Sequence, residues 1–212
     1  YQTWYVRQWA GVDPDNGDPL WWKDAAKTEK TNVYTDAERI LYSSASPKFF
    51  GQLNNTFTYK GFSVDFQLYY NFGNHLRDNW ALYTYDGVSV TANKYQRAMD
   101  RWQKPGDITD VPRLTAYGNN YTLEQNSRFL EDGSFLKLSA LTFGYTIPKS
   151  IISKAGFQTV RLYFIGSNLL ILKKYSGPDP EANVTAEQNV QGLDLGTPPQ
   201  PRTVQFGVNV TL

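Results

Sequence analysis

Five long stretches of the chain alternate strictly between apolar and polar residues. The clearest is Phe62–Phe72, with Phe62, Val64, Phe66, Leu68, Tyr70 and Phe72 on one face and Ser63, Asp65, Gln67, Tyr69 and Asn71 on the other. Before it, Phe49, Leu53, Phe57 and Tyr59 alternate with Phe50, Gln52, Asn54, Thr56 and Thr58, and Lys60-Gly61 joins the two runs as a two-residue hairpin turn. A third run, 135–147, sets Leu141, Phe143, Tyr145 and Ile147 opposite Leu138, Ala140, Thr142 and Gly144, and it stops at Pro148. The fourth, 159–168, sets Val160, Leu162 and Phe164 against Thr159, Arg161 and Tyr163. In the fifth, Val204, Phe206, Val208, Val210 and Leu212 alternate with Gln205, Gly207, Asn209 and Thr211. Residues 1–9 and 20–23 are weaker strand candidates on either side of the turn-rich Asp13-Pro14-Asp15-Asn16-Gly17-Asp18.

These runs are long for a soluble sheet, whose strands average about 5 or 6 residues. At roughly 3.3 Å per residue and a tilt near 45°, Phe62–Phe72 spans a height of about 24 Å, close to the apolar band of about 25 Å on outer-membrane barrels. Tyr59, Phe62, Tyr70 and Phe72 gather at the run ends, where amphipathic rings sit at headgroup depth. Connections alternate between short, at Lys60-Gly61 and 148–158, and long, at 73–133 and 170–202. That is the pattern of periplasmic turns and extracellular loops in such barrels. With the last strand ending in the periplasm, the long segments and 24–47 face outward.

The fold expected is therefore all-β: a transmembrane antiparallel β-barrel segment of about seven strands. Single-chain barrels have an even number of strands starting at 8, so this segment is expected to be completed by strands on residues outside the chain. Within the long loop, Ala92, Tyr95, Met99 and Trp102 recur at helical spacing, Thr91 is a candidate cap and Lys104-Pro105-Gly106 a stop. A short helix near 92–103 is predicted, packing the loop onto itself or the barrel rim.

Composition narrows the chemistry. Of 212 residues, 6 are Trp, 15 Tyr and 12 Phe, an aromatic excess suited to strands at an interface. With 21 Lys+Arg against 20 Asp+Glu, bulk charge offers nothing to a nucleic acid. The absence of Cys and a single His remove disulfide frameworks, Cys zinc sites, thiol nucleophiles and the HExxH metalloprotease motif. The sequence contains no secretory-leader pattern and no apolar run near 18 residues, and is expected to be neither a precursor nor a helical membrane span. Asp13 to Asp18 lacks the Gly and Glu spacing of a calcium loop and reads as a turn. Asp179 with Glu181, and Asp107 with Asp110, read as solvated loop acids rather than a glycosidase pair. His75 has no GxSxG partner for a triad. No catalytic residue, metal or cofactor is expected.

Several stretches together resemble the SusC/RagA family of TonB-dependent outer-membrane transporters. They are Trp9-Ala10-Gly11-Val12-Asp13-Pro14-Asp15-Asn16-Gly17-Asp18, Ser46-Pro47-Lys48-Phe49-Phe50-Gly51, Arg101-Trp102-Gln103-Lys104-Pro105-Gly106-Asp107 and Phe143-Gly144-Tyr145-Thr146-Ile147-Pro148. Gly166-Ser167-Asn168-Leu169, Tyr175-Ser176-Gly177-Pro178-Asp179-Pro180-Glu181 and Pro201-Arg202-Thr203 close the series. The terminal Leu212 departs from the Phe with which outer-membrane barrels often finish. The resemblance implies a 22-stranded barrel plugged by an N-terminal domain, with this chain as its C-terminal strands. It implies a place in the outer membrane of a Bacteroidetes bacterium and TonB-dependent import of an oligosaccharide or peptide nutrient. The implied partners are a SusD-like surface lipoprotein, the rest of the barrel and plug polypeptide, the TonB complex and outer-membrane lipid.

On that reading Trp80, Tyr83, Tyr85, Tyr117 and Tyr121, with Arg97, Arg101 and Arg113, are candidates for ligand or lid contact. Asp65, Gln67, Asn71, Arg161 and Gln205 are candidates for the lumen-facing wall. Loop packing and ordinary ion pairs account for the same mouth residues equally well. A soluble, secreted carbohydrate-binding β-sandwich is the alternative, set apart by its behaviour in water without detergent.

Overall fold

The computed structural model describes residues 2–84, 93–115, 125–183 and 191–212. In chain order the strands are β1 (Thr3–Arg7), β2 (Trp9–Val12), β3 (Pro19–Trp22), β4 (Lys30–Thr31), β5 (Arg39–Ser44), β6 (Phe49–Tyr59), β7 (Phe62–Phe72), β8 (His75–Asp78), β9 (Leu130–Asp132), β10 (Phe135–Thr146), β11 (Thr159–Lys173), β12 (Leu193–Asp194) and β13 (Thr203–Thr211). Two single-turn helices, α1 (Ala81–Thr84) and α2 (Lys149–Ile152), accompany them. The chain divides into two units: Tyr1–Ser46, Asn74–Asp132 and Glu181–Thr197 make the first, and Pro47–Gly73, Gly133–Pro180 and Pro198–Leu212 the second.

The second unit holds a five-stranded antiparallel meander in the order β6-β7-β10-β11-β13. Its register brings like residues together because side chains alternate faces with period two. Leu53, Leu68, Leu138 and Leu170 stand side by side in one row, and Phe57, Val64, Phe143, Phe164 and Phe206 in another on the same face. The opposite face carries Thr56, Asp65, Thr142, Ile165 and Gln205. The apolar face stands open: Phe206 is 79% exposed and Leu53 52%. Lys60 (φ 45°) and Gly61 (φ 88°) turn the β6-β7 hairpin with the two positive φ angles of a type I′ turn. The end of β10 braces that turn, as Thr146 N–H donates to the Gly61 carbonyl at 2.8 Å.

Two features of this sheet differ from the alternation read along the chain. Leu138 lies on the same face as Leu141, not opposite it, because the register steps from Leu68↔Leu138 to Gln67↔Ala140. Ser139 is thus the extra residue of a β-bulge, and its hydroxyl donates to the Gln67 carbonyl at 3.1 Å. Across from it, Asn168 adopts a left-handed backbone (φ 54°), a conformation Asn tolerates better than most residues. This takes up the slack and lets pairing resume at Leu170↔Leu138. The strand expected over 159–168 therefore runs on to Lys173, and the connection expected over 170–202 begins after it.

In the first unit the two weak strand candidates do not join the long sheet. β1 pairs with β5, β2-β3-β4 form a small sheet, and β12-β8-β9 another. Aromatics supply the core: Trp21 is fully buried, edge-on to Trp9 at 6.1 Å and to Tyr34 at 5.3 Å. Arg7 lies 4.2 Å from the Tyr34 ring and Arg128 4.8 Å from the Trp9 ring, so cation-π contacts flank the cluster at both ends.

The helix expected near 92–103 is instead a 3₁₀ turn over Gln96–Asp100, preceded by Tyr95 in extended conformation. Met99 and Tyr95 are exposed, and Trp102 leaves the helical path because its N–H donates to the Val111 carbonyl at 2.9 Å. Residues 91 and 92 of that prediction lie outside the described residues.

Candidate functional site

The polar face of the long sheet gathers all five residues expected to line a lumen. Asp65, Gln67, Asn71, Arg161 and Gln205 share it through continuous register. Near the Lys60-Gly61 turn the Thr56 hydroxyl donates to Asp65 Oδ1 at 2.7 Å, and Arg161 Nη2 donates to Ser63 Oγ at 3.0 Å. Arg161 reaches Ser63 by crossing Gly144, where a Cβ would stand 2.7 Å from Nη2. These groups border an open groove of about 630 Å³.

At the other end of the same face lies a cavity of about 340 Å³. Its walls include Lys137 of β10, Asn168 and Ile171 of β11, and residues 178, 179 and 199–202. Lys137 and Asp179 are buried, at 8% and 7% exposure. Asp179 is thus not the solvated acid expected of a Pro/Gly-rich loop: its Oδ2 accepts the Gln200 N–H at 3.1 Å. The wall is pinned twice more, by Asn168 Nδ2 donating to the Pro201 carbonyl at 3.0 Å and by Lys173 Nζ donating to the Gly177 and Pro178 carbonyls. Neither Lys137, at the start of an apolar strand, nor Arg202, inside the Pro201-Arg202-Thr203 stretch, stands out in the sequence as lining such a cavity.

The candidates for mouth contact divide. Trp80, just before α1, and Tyr83, on it, are partly exposed. Arg97 is paired with Asp110, and Arg113 Nε donates to Asp18 Oδ1 at 2.8 Å. Arg101 is half-buried. Tyr85, Tyr117 and Tyr121 lie outside the described residues. The other acids considered are also engaged, since Asp107 Oδ2 accepts the N–H groups of Gln103 and Lys104 at 3.0 Å. In the Asp13 to Asp18 turn, Asp13 accepts from Asp15 N and Asn16 Nδ2, and Asn16 accepts from Asp18 N. The His75 carbonyl accepts the Trp4 indole N–H at 3.0 Å. Among the described residues no three His, Cys, Asp or Glu side chains are placed to hold a metal ion.

One carboxyl is electrostatically unusual. Asp78 is buried and its Oδ1 accepts the Ala81 N–H at 2.9 Å at the start of α1. Burial pushes its pKa above the usual carboxylate value, and the neighbouring Asp194 and Glu131 charges push the same way. Asp194 stands beside it in the parallel β12-β8 pair and accepts from Gly196 N and Thr197 N.

No family model matches the chain. In sequence it is 33% identical over 203 residues to TonB-dependent receptor P3 of Formosa agariphila, covering 93% of this chain and 19% of that protein. It is 29% identical over 184 residues to TonB-dependent receptor P26 of the same organism, covering 84% and 18%. Among solved structures, the RagAB peptide transporter superposes with a TM-score of 0.80 at 26% identity, over 99% of this chain and 23% of that one. The RagAB peptide importer in its closed-closed state gives 0.81 at 26% identity, over the same shares. The chain spans about a fifth of the length of the relatives it matches.

Proposed function

We propose that this chain, which is part of a TonB-dependent receptor of the SusC/RagA type, forms barrel wall and mouth loops of a transporter that imports an oligosaccharide or peptide nutrient across the bacterial outer membrane. The observation that carries the reading is the two-faced long sheet. One face is a band made mostly of Leu, Val, Phe and Tyr side chains and left open, interrupted by Asn55, Gly51 and Gly166, and the other carries Asp65, Gln67, Asn71, Arg161 and Gln205. A barrel wall needs lipid-facing and lumen-facing residues in just this alternation. In hydrocarbon every backbone N–H and C=O needs a partner, so the outer edges of β6 and β13 continue into strands on the rest of the receptor. We assign this chain to the C-terminal strands of a 22-stranded barrel closed around a plug.

The Lys60-Gly61 turn and the 148–158 connection then face the periplasm, and the segments 1–46, 74–133 and 174–202 form the extracellular mouth. A SusD-like lipoprotein closes over the cargo there, and the TonB complex acts on the plug. Trp80, Tyr83 and Arg101, with Tyr85, Tyr117 and Tyr121, are assigned to cargo or lid contact. Arg97 and Arg113 hold the mouth loops in shape through Asp110 and Asp18. The chain is neither an enzyme nor a cofactor carrier in this scheme, because its work is binding, exclusion and passage.

The test is deletion of the complete receptor in its host. Growth on the cargo polymer is expected to fail while growth on free sugars and amino acids continues, and dissipating the proton-motive force is expected to reproduce the defect. Unchanged growth on every glycan and peptide tried, or recovery of the receptor from the soluble fraction without detergent, overturns the reading.

A further inference from the structure

We propose that the 340 Å³ cavity at the mouth end of the polar face receives a carboxylate of the cargo, with Arg202 as its gripping residue and Lys137 as the fixed positive charge in its wall. The proposal rests on the import reading, since it names the chemistry that one part of the mouth selects.

Charge is the first argument. Two cations, Lys137 and Arg202, line the cavity against a single carboxylate, Asp179. Asp179 and Lys137 are both buried and offset one another in charge, and an oxygen of Asp179 is already committed to the Gln200 N–H. Arg202 is exposed at the rim and makes no hydrogen bond or ion pair with any described residue. Its planar fork of donors matches a carboxylate bidentately.

Shape and donor count point to the same ligand. Pro178, Pro199 and Pro201 line the cavity and contribute no backbone N–H, so no nest of amides exists of the kind that cradles phosphate or sulfate. The bonds from Asn168 and Lys173 to the carbonyls of Pro201 and Pro178 hold this frame before any ligand arrives, and that lowers the ordering cost of binding. The volume lies at the lower end of the range for ligand pockets. It fits one acidic residue or one acidic sugar rather than an oligomer.

A carboxylate reaches such a mouth from a peptide or from a uronate, and paired probes separate the two. The complete receptor with its partner lipoprotein, purified in detergent, is titrated with tetraalanine and its C-terminal amide, and with tetragalacturonate and its methyl ester. One pair is expected to show about tenfold tighter binding of the free acid, the scale of one charge-assisted hydrogen bond. Arg202→Gln is expected to reduce that preference to within about twofold while leaving the amide or ester affinity unchanged, and Arg202→Lys to keep part of it. Position 202 is exposed, so these variants test recognition rather than folding. A preference that survives Arg202→Gln, or equal binding of acid and neutral probe by the wild type, overturns the cavity assignment alone if deletion of the receptor still abolishes uptake of the neutral probe. Absence of receptor-dependent binding for all four probes overturns this proposal, and the import reading falls with it only if deletion of the receptor also leaves growth on every glycan and peptide tried unchanged.

Discussion

Tyr163 lies across Gly207, the residue that faces it on the neighbouring strand, so closely that a Cβ on the glycine would stand 2.2 Å from Tyr163 Cζ. Tyr70 lies over Gly51 in the same way on the other face, where a Cβ would meet the hydroxyl at 2.6 Å. Glycine weakens a strand because it has no side chain to pack, and an aromatic ring laid over it from the next strand restores the lost contact. Arg161 over Gly144 follows the same rule with a guanidinium.

Gly207→Ala is accordingly expected to destabilise the folded receptor by about 1–3 kcal/mol, the usual range for overpacking. The clash is with the far end of one side chain, so Tyr163→Ala in the same molecule should relieve it. The measurement is a double-mutant cycle on urea unfolding of the receptor in liposomes, with a coupling of about 0.5–3 kcal/mol expected. Strict additivity of the two changes would show that the ring does not sit on Gly207.

Much of the long sheet was legible in the chain because period-two alternation and an exposed apolar face leave little choice of register. The alternation misled at Leu138, where the bulge at Ser139 adds one residue that no hydropathy pattern announces. It misled again at Asn168, whose left-handed backbone is a local strain accepted by a side chain that bonds Pro201. In the first unit, helical spacing from Tyr95 to Trp102 lost to long-range partners, since Trp102 is drawn to Pro14 and Gly17 far away in sequence. That Asp65, Gln67, Asn71, Arg161 and Gln205 share one face was readable from strand phase alone. The mouth cavity was not, because it depends on how residues 178–179 and 199–202 return over β10 and β11.

Gly17 carries a second prediction. It has φ 77°, a conformation costly for side chains, and a Cβ there would meet the Trp102 ring at 2.5 Å. Trp102 Nε1 also donates to the Pro14 carbonyl at 2.9 Å, and Arg113 N to the Gly17 carbonyl at 3.0 Å. Gly17→Ala is therefore expected to loosen the clasp between residues 13–18 and 102–113 by about 1–3 kcal/mol. Limited proteolysis of intact receptor should cut within 93–115 several-fold faster than in the wild type. Trp102→Phe, which leaves a smaller aromatic ring and loses the N–H bond, should show a smaller increase, and equal rates for all three proteins would refute the clasp.

For Asp78 the sign follows from the raised pKa. A carboxyl that binds its proton more tightly folded than unfolded contributes stability that is present in acid and lost as pH rises through the raised value. Segments 75–84 and 191–197 are thus expected to exchange amide hydrogens faster at neutral pH than just above the ordinary carboxylate range of about 4, after correction for intrinsic exchange. Asp194 and Glu131 face Asp78 with like charge, and Arg77 adjoins it in the chain. Asp78→Asn keeps an acceptor for the Ala81 N–H and removes the charge, so it should slow exchange at neutral pH and flatten the profile. Faster exchange in Asp78→Asn at neutral pH would mean that the ionised carboxylate stabilises this region.

Leu68 and Gln67 are adjacent at the middle of β7 and point to opposite faces. Leu68 is flanked by Leu53 and Leu138, Gln67 by Asn54 and Ala140. If the first row meets lipid, Leu68→Arg places a cation near the bilayer midplane, where the cost is about 2–4 kcal/mol. Gln67→Arg enters a wet lumen and is expected to cost under about 1 kcal/mol, within the usual range for exposed substitutions. The readout is the fraction of receptor that migrates as heat-modifiable folded barrel in outer-membrane preparations, followed by urea titration in liposomes. Leu68→Arg should lower both while Gln67→Arg stays close to wild type. The reverse order would turn the sheet inside out and put Asp65, Arg161 and Gln205 against lipid. Equal tolerance of both substitutions would mean that neither face is in hydrocarbon, as a water-soluble sandwich requires.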